Sequence, residues 1–583
     1  MTIPAMNPWS ARWFLAVGSA VMLGSGAYLI NTGVPGPGTA SIACPPGFHP
    51  HDAGDRRVCV TDKHPEPPLE LEIRQRQVLQ VRSAPYDTVH PGAFAAAIAE
   101  RDRLRKEGRK VQGTAGTWQP YGVGPLIANS PAYSSINGLG LADMMGRIDS
   151  LKYDAAHNRV FAATGTGGVW MSTDLGNNWV SIGDALPSQI VGAIAWSPGG
   201  TLVALSGDPT FGGISGYTGF GAFYTADLGA TWHKASGIPD GALGFAIEVD
   251  PANPDVVYAA TMFGLYRSAD AGRTYVNVDL PTGDCAGVPG NTTGRAECHL
   301  ANVVTDVVIR VPDGVESGAP GSVASGTVLA AVGWRGGQKR FTRDGVEYMQ
   351  SPNNGLYRSA TGEAGTFEKL TVPGFAPQDR IGRIELGPAV GPQQDHDIVY
   401  AIVQDAQALN GFWESIDVAD VDDPRPLLPT VPLLGKLGAG GGTVLQGIYS
   451  STDFGASWTL MSDDTAIAKN PASGSALNGV GTAIGFEPGI QAWYNLFIAP
   501  DPTRAVGGVP TRVVFGLEEV WQNEVTLQPA LGPTAFKVIG RYFSGDSCML
   551  LDLGLPACPV DRPPSGGLTT HPDQHDAIWV PDG

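Results

Sequence analysis

The chain has 583 residues, of which 43% are hydrophobic and 16% are charged, and its formal net charge is -19. This balance excludes an intrinsically disordered chain, which would combine low hydrophobicity with high charge. The acidic surplus argues against a nucleic-acid partner, because the phosphate backbone attracts basic proteins. The 79 glycines and 47 prolines favour many short strands joined by turns.

Residues 1–43 are predicted to be a hydrophobic helix that serves as a membrane anchor or a signal segment. An uncharged apolar run extends from Trp13 to Ile30, directly after Arg12. Its length of about 18 residues is near the minimum for crossing a bilayer and exceeds a usual signal-peptide core. Cleavage after Ser41–Ala43 is the alternative. We therefore expect an extracytoplasmic protein (periplasmic, cell-surface or secreted) with a single N-terminal anchor in the membrane.

Residues 44–117 are predicted to be a Cys-stapled linker and a helical region. The helix is expected over Pro91–Lys110, with proline at its start and basic residues toward its end. The six cysteines fall into sequence-local pairs without CxxC spacing, which favours disulfides in an oxidising compartment over zinc ligands or unpaired thiols. The predicted disulfides are Cys44–Cys59, Cys285–Cys298 and Cys548–Cys558.

From residue 118 to residue 583 the sequence is predicted to form one all-β domain. A short segment, first seen as Ser172–Trp179, recurs along it at Thr225–Trp232, Ser268–Tyr275 and Ser451–Trp458, with a degenerate copy at Ser359–Phe367. Its aspartate can accept backbone N–H bonds in a tight turn, and its glycine permits a positive φ. The structural aspartates predicted in this way are Asp174, Asp227, Asp270 and Asp453.

Each repeated turn lies in a unit that reads as four consecutive strands. In the first unit these are Arg147–Asp154, Arg159–Gly165, Gly167–Asp174 and Trp179–Gly183. Such units predict a β-propeller of about seven blades. The other units span about 191–236, 244–279, 302–372, 381–462 and 493–541, and a seventh begins at Gln574–Pro581. The last blade is therefore expected to be incomplete, by truncation of the chain or by a different closure of the ring, and Trp118–Tyr121 could supply one outer strand.

The repeated pattern S/T-x-D-x-G-x-T-W resembles that of the BNR/Asp-box propeller superfamily. Gly146-Arg147-Ile148, the run Gly167–Asp174, Asp250-Pro251 and His571–His575 add to the likeness. The superfamily includes sortilin-type receptor domains, sialidase-like propellers and xyloglucanase-type glycoside hydrolases, so the resemblance implies the fold and leaves the function open. Asp149 stands where a sialidase would continue Arg-Ile with proline, which argues against a sialidase.

The predicted strand order places the repeated turns on one face and nearly all long insertions on the other, where we expect ligand binding. The residues at the ends of the second strands on that face are Thr166, Asp208, Phe263, Trp334, Asp405 and Glu519. The carboxylates Asp208, Asp405 and Glu519 are candidate catalytic groups of a glycoside hydrolase. The candidate ligand-binding residues are Phe263, Trp334 and Arg335, the last of which directly follows Trp334. The alternative interpretation is that these residues are solvated side chains at the rim of the face and have no role in catalysis.

His571, Asp573 and His575 would share one face of an extended segment. They could hold a divalent cation, although a structural hydrogen-bond network is the favoured interpretation, and no other cofactor is expected. The leading functional hypothesis is a tethered module that recognises a glycan or an extracytoplasmic protein. The alternative is a glycoside hydrolase that acts on a polysaccharide.

Overall fold

The computed structural model describes residues 93–108, 146–541 and 573–580, together with short pieces at 48–53, 56–61, 126–127 and 143–144. The second range has gaps at 210–218, 282–302, 313–323, 325, 334–340, 344–345, 349–352, 407–442, 469, 476, 478–486 and 490. The predicted anchor and all three predicted disulfides fall wholly or partly outside these residues, so both stay predictions. No helix among the described residues is long and apolar enough to cross a membrane.

The described residues form an all-β propeller of six antiparallel blades, each with four strands in the order A-B-C-D from the axis outward. Blade 1 has strands Ile148–Asp154, Arg159–Thr164, Gly168–Ser172 and Val180–Ser181, and blade 2 has Val191–Trp196, Leu202–Ser206, Ala222–Thr225 and His233–Lys234. Blade 3 has Gly244–Val249, Val257–Thr261, Gly264–Ser268 and Val276–Asn277, and blade 4 has Val304–Ile309, Val328–Val332, Gly355–Ser359 and Glu368–Lys369. Blade 5 has Ile381–Pro388, Val399–Asp405, Leu445–Ser451 and Thr459–Asp463, and blade 6 has Phe497–Pro500, Val513–Gly516, Val520–Asn523 and Phe536–Gly540.

Burial explains why the inner strands are apolar throughout. Strands B such as Leu202–Ser206 and Val257–Thr261 are buried at every residue, because neighbouring blades cover both faces of each sheet. The hydrophobic clusters accordingly lie between blades; one joins Phe161 of blade 1 to Ile194 of blade 2. Strands D are only two residues long in blades 1 to 4 and are largely exposed, as at His233–Lys234.

The alternating strand directions give the propeller two different ends. The A–B and C–D connections meet at one end, which we call the turn face, and the B–C and D–A connections meet at the other, which we call the loop face. Hydrogen bonds between neighbouring turns confirm this arrangement. The Ala271 amide donates to the Asp255 carbonyl at 2.8 Å, and the Phe454 amide donates to the Asp397 carbonyl at the same distance.

The four repeated turns share one hydrogen-bonded geometry. In the turn of blade 5, Asp453 accepts bonds from Ser451 Oγ at 2.8 Å, Ser457 N at 2.8 Å and Ser457 Oγ at 2.5 Å. Gly455 has a φ of 88° and the preceding Phe454 a φ of 51°. The left-handed conformation of this non-glycine residue was not predicted from the sequence. The degenerate turn lacks the aspartate, and Ser359 Oγ instead lies 2.5 Å from Thr366 Oγ1.

Residues 573–580, which we call the terminal segment, occupy a seventh inner position between blades 6 and 1. Asp576 Oδ2 accepts a bond from Leu151 N at 2.7 Å. Asp306 of blade 4 makes the same kind of bond to Leu386 N of blade 5, also at 2.7 Å. On its other side, the ring of Trp579 lies 4.4 Å beneath the guanidinium of Arg512 in blade 6.

The structure corrects the predicted blade count. The terminal segment belongs to no strand ladder, so the described residues make six blades plus a closing segment rather than a seventh blade with a first strand. The terminal segment nevertheless lies where an inner strand would, because Asp576 and Asp306 each accept a backbone N–H bond from the inner strand that follows in the ring. The segment Trp118–Tyr121, proposed as an outer strand, lies outside the described residues.

The remaining elements lie outside the blades. The helix predicted over Pro91–Lys110 is present over Ala93–Gly108, and Arg101 Nη1 donates to the Asp184 carbonyl at the loop face at 3.2 Å. Asp464–Ala468 is a second short helix, and Gln378–Arg380 and Pro471–Ser473 are 3-10 turns. Four small hairpins pair Phe48–Ala53 with Arg56–Thr61, Leu126–Ile127 with Asp143–Met144, Phe341–Arg343 with Val346–Tyr348, and Ala505–Val506 with Val509–Pro510.

Candidate functional site

The loop face is where strands A begin, and their first residues are irregular. In blades 1 to 5 the pairing of strand A with strand B shifts register near this point. A bulge bends the strand and redirects a side chain. In blade 1 the shift lies between Ile148 and Ser150, which sets Asp149 beside Arg147 at the mouth of the central channel.

Asp208 was predicted as a catalytic candidate, and the structure places it in a buried ion pair. It follows strand B of blade 2 and is fully buried. The guanidinium of Arg147 bonds to Asp208, and its Nε also bonds to Asp149 at 2.7 Å. Because a buried carboxylate is costly without a partner, this pairing stabilises Asp208 in its buried position and joins blades 1 and 2.

Asp405 forms the same kind of buried ion pair in blade 5, with Arg380. It ends strand B, is 1% exposed, and its Oδ2 accepts from Arg380 Nε at 2.7 Å. Arg380 lies in the 3-10 turn just before strand A, and its side chain is 43% exposed. The buried carboxylate therefore orients a guanidinium that faces solvent, and the exposed member of the pair is the arginine rather than the predicted aspartate.

Glu519, the third predicted carboxylate, is fully buried in the B–C turn of blade 6. Its neighbour Glu518 accepts backbone N–H bonds from Gly489 at 2.8 Å and Gln491 at 2.7 Å. Burial raises the pKa of Glu518 to about 7. Glu518 therefore fastens the link that enters blade 6 and can carry a proton near neutral pH.

The terminal segment brings Asp573 and His575 to the same mouth. Tyr494 Oη donates to Asp573 Oδ1 at 2.5 Å, and the Tyr494 and His575 rings lie 6.0 Å apart. Burial lowers the pKa of His575 to about 3, so its imidazole is neutral at physiological pH. Burial and the adjacent Asp573 raise the pKa of Tyr494.

The metal hypothesis involves the same residues. His571 lies outside the described residues, and those that are described contain no group of three or more His, Cys, Asp or Glu side chains arranged for a metal. The contact between Tyr494 and Asp573 is of the kind expected for a structural network. A cation at His571, Asp573 and His575 stays a prediction.

The predicted aromatic residues are only partly described. Phe263 is half-buried and packs against the hydrophobic cluster between blades 2 and 3. Thr166 is exposed in the B–C turn of blade 1. Trp334 and Arg335 lie outside the described residues, so their proposed part in ligand binding stays a prediction.

A network of charges inside the channel was missed by the sequence analysis. Lys152 Nζ of blade 1 lies 2.5 Å from Glu248 Oε1 of blade 3. In blade 5, Arg383 bonds to Glu385 through Nε at 2.8 Å and Nη2 at 2.6 Å, and its Nη1 donates to the Tyr494 carbonyl. The sequence signal that could have indicated this network is a single charged residue within an otherwise apolar inner strand, such as Glu248 in Gly244–Val249.

The arrangement is suited to recognising a polar ligand. Two arginines, Arg147 and Arg380, are each fixed by a buried aspartate at the loop face. A guanidinium held in place loses little conformational freedom when it binds hydroxyl or carboxylate oxygens. Hydrolysis would need one carboxyl to donate a proton and another to act as base or nucleophile; Asp208 and Asp405 are already held by cations.

Comparisons with known proteins give structural neighbours only. No family model and no curated protein matches the chain. An ancestral GH74 enzyme is 12% identical with a TM-score of 0.39, covering 67% of this chain and 40% of its own. The GH74 xyloglucanase from Xanthomonas campestris is 15% identical with a TM-score of 0.32, covering 69% and 55%.

YCF48 from Cyanidioschyzon merolae is 9% identical with a TM-score of 0.32, and the match covers 68% of this chain and 88% of that one. The matches to the two GH74 enzymes cover 40% and 55% of those enzymes, so this chain spans only about half their length. On its own sheet topology, the chain is an all-β propeller of four-stranded blades.

Proposed function

We propose that the chain is an exported, membrane-tethered propeller of the Asp-box type that recognises a glycan through its loop face, with an extracytoplasmic protein as the other ligand class. The observation that carries the proposal is the pair of arginines, Arg147 and Arg380, each oriented by a buried aspartate at that face. The Asp-box assignment is supported by the shared hydrogen bonding of the four repeated turns.

Export rests on the sequence. The apolar run Trp13–Ile30 and the three local cysteine pairs both fit an oxidising compartment outside the cytoplasm.

The test of ligand class is an array of immobilised oligosaccharides, including β-glucans and sialosides, probed with the soluble part of the chain after residue 43. We expect retention on a subset of glycans. Uniform absence of retention would overturn the glycan proposal and leave a protein ligand as the remaining hypothesis.

A glycoside hydrolase is the second candidate, favoured by Glu518, a carboxyl buried in the B–C turn of blade 6 at the loop face. Burial raises its pKa to about 7, within the range of a general acid. Release of reducing sugars from soluble β-glucans would support it, provided that Asp208→Asn abolishes the release while a melting curve shows the variant folded. We expect no such release, because Asp208 serves to hold Arg147.

A further inference from the structure

Blades 1 to 5 each carry an aromatic residue on strand C, two residues before the serine or threonine that opens the repeated turn. In blades 2 to 5 this residue is at most 6% exposed and packs in the hydrophobic cluster shared with the preceding blade. The four residues are Phe223, Tyr266, Tyr357 and Tyr449. The equivalent residue of blade 1 is Trp170, which is only half-buried. A ring that is buried elsewhere in the propeller is therefore accessible in blade 1.

The accessibility of Trp170 follows from what precedes blade 1 in the ring. Its neighbours on the strand, Val169 and Met171, pack toward blade 2. Because side chains alternate along a strand, Trp170 points to the opposite side, toward the terminal segment. In blades 2 to 5 the corresponding ring faces a four-stranded blade, whereas the terminal segment belongs to no ladder. A single segment covers less of the ring than a blade does.

The indole of Trp170 is held beside the loop face, close to Arg147. Its Nε1 donates to the carbonyl of Gly167, in the B–C turn of blade 1, at 2.9 Å. At the other end of this turn, a Cβ on Gly165 would overlap the guanidinium of Arg147. The two glycines are two residues apart, so their Cα atoms are separated by at most about 7 Å. Arg147 and Trp170 therefore border the same exposed turn.

The charges around this turn indicate which class of sugar it suits. One guanidinium, that of Arg147, is shared between the carboxyl groups of Asp149 and Asp208. This part of the loop face thus has no surplus of positive charge with which to attract an anionic sugar. The net charge of the whole chain, -19, also disfavours an anionic ligand. An aromatic face, in contrast, gains from covering apolar C–H groups whatever the charge of the chain.

We propose that Trp170 is a stacking residue of the glycan site, on which a neutral pyranose ring lies through its C–H face while its hydroxyl groups reach the B–C turn and Arg147. This inference rests on the proposed function and deepens it, because it names a contact residue and the class of sugar. The site should accordingly prefer uncharged hexoses to sialic or uronic acids. The bond to Gly167 fixes the plane of the indole before the sugar arrives, which lowers the entropic cost of stacking.

A second tryptophan of blade 1 provides a matched control. Trp179 is also half-buried, and its Nε1 likewise donates to the carbonyl of a glycine three residues earlier, Gly176, at 2.9 Å, but it lies in the repeated turn on the turn face. Binding is measured by calorimetric titration with the neutral oligosaccharides that retain the native chain. Trp170→Leu should weaken binding by about 10-fold or more, and Trp170→Phe, which keeps a flat ring, by less than about 3-fold. Trp179→Leu should bind like the native chain.

A spectroscopic readout separates stacking from an effect on folding, which melting curves of all variants also check. The oligosaccharide should change the tryptophan emission of the native chain and of Trp179→Leu, and this change should be absent from Trp170→Phe. Native affinity in Trp170→Leu, or an undiminished emission change in Trp170→Phe, would overturn the inference and leave glycan recognition intact. Preferential retention of the native chain on sialylated or uronate-containing oligosaccharides would overturn the sugar class. Retention on no oligosaccharide would overturn the proposed function itself, and this inference with it.

Discussion

Asp208 and Asp405 show how a buried acid can orient a more exposed arginine. Both are at most 1% exposed, and both hold an arginine at the loop face. The position of both acids at the end of strand B could be predicted from the sequence, whereas their arginine partners could not, and a catalytic role for either acid stays a prediction. Arg147 is 61 residues from Asp208, and only the packing of blade 1 against blade 2 brings the two together.

The turn aspartates have a purely local role, which can be tested on Asp453. Replacing it with alanine removes the three bonds from Ser451 and Ser457. We expect the free energy of unfolding to fall by about 1–3 kcal/mol, because the hydroxyl and amide groups that donate to this carboxylate lose their acceptor. Denaturant titration measures the loss. Glu368→Ala, at an exposed position, should change it by less than about 0.5 kcal/mol; an equal effect of both variants would refute the role.

The blades could be predicted from the sequence because their signals are local. Strand alternation, a repeated turn of eight residues and the connections between them all lie within one unit, and the strand bounds of blades 1 to 3 agree with the prediction to within a few residues. The channel network could not be predicted in this way. Lys152 and Glu248 are 96 residues apart and meet only because the ring curves around its axis.

A glycine in the turn of blade 2 fits closely against blade 1, and a glycine of similar φ in the link after blade 2 provides a matched control. Gly229 and Gly241 have φ values of 86° and 91°. A Cβ on Gly229 would lie 2.2 Å from the Ile182 carbonyl oxygen, whereas one on Gly241 would meet nothing within 4 Å. Gly241→Ala should therefore cost only the strain of a left-handed alanine, about 1–2 kcal/mol.

Gly229→Ala should cost about 2 kcal/mol more than Gly241→Ala, because the turn of blade 2 must also move away from blade 1. The difference in the free energy of unfolding, measured under identical conditions, checks this expectation. Equal losses for the two variants would show that contact between the blades does not constrain the turn.

At the scale of the whole molecule, buried carboxyls make stability depend on pH. Folding raises the pKa values of Asp576 to about 6, and of Glu385 and Glu518 to about 7, so the folded chain retains protons that the unfolded chain has released. The free energy of unfolding should therefore be greatest near pH 4 to 5 and fall as pH rises to about 7. The lowered pKa values of Asp227 and Asp453 act only at lower pH.

Calorimetric Tm values across pH 4.5 to 8 test this behaviour. The native chain should melt at a lower temperature at pH 8 than at pH 5. Glu385→Gln should flatten the slope, because it removes one of the groups that titrate. A Tm that rises steadily over this range, or an unchanged slope in the variant, would contradict the raised pKa values of these buried carboxyls.

The division of the propeller into a structural turn face and a binding loop face can be tested by comparing one variant on each face. Arg380→Gln alters the loop face, whereas Arg273→Gln alters an exposed arginine on the turn face, where Nη1 bonds to the Asp270 carbonyl. Both should fold, as checked by their melting curves. On the oligosaccharides that retain the native chain, Arg380→Gln should weaken binding by about 10-fold or more, a loss of about 1.4 kcal/mol, and Arg273→Gln should bind like the native chain. Full binding by Arg380→Gln together with loss of binding by Arg273→Gln would show that the turn face, and not the loop face, binds the ligand.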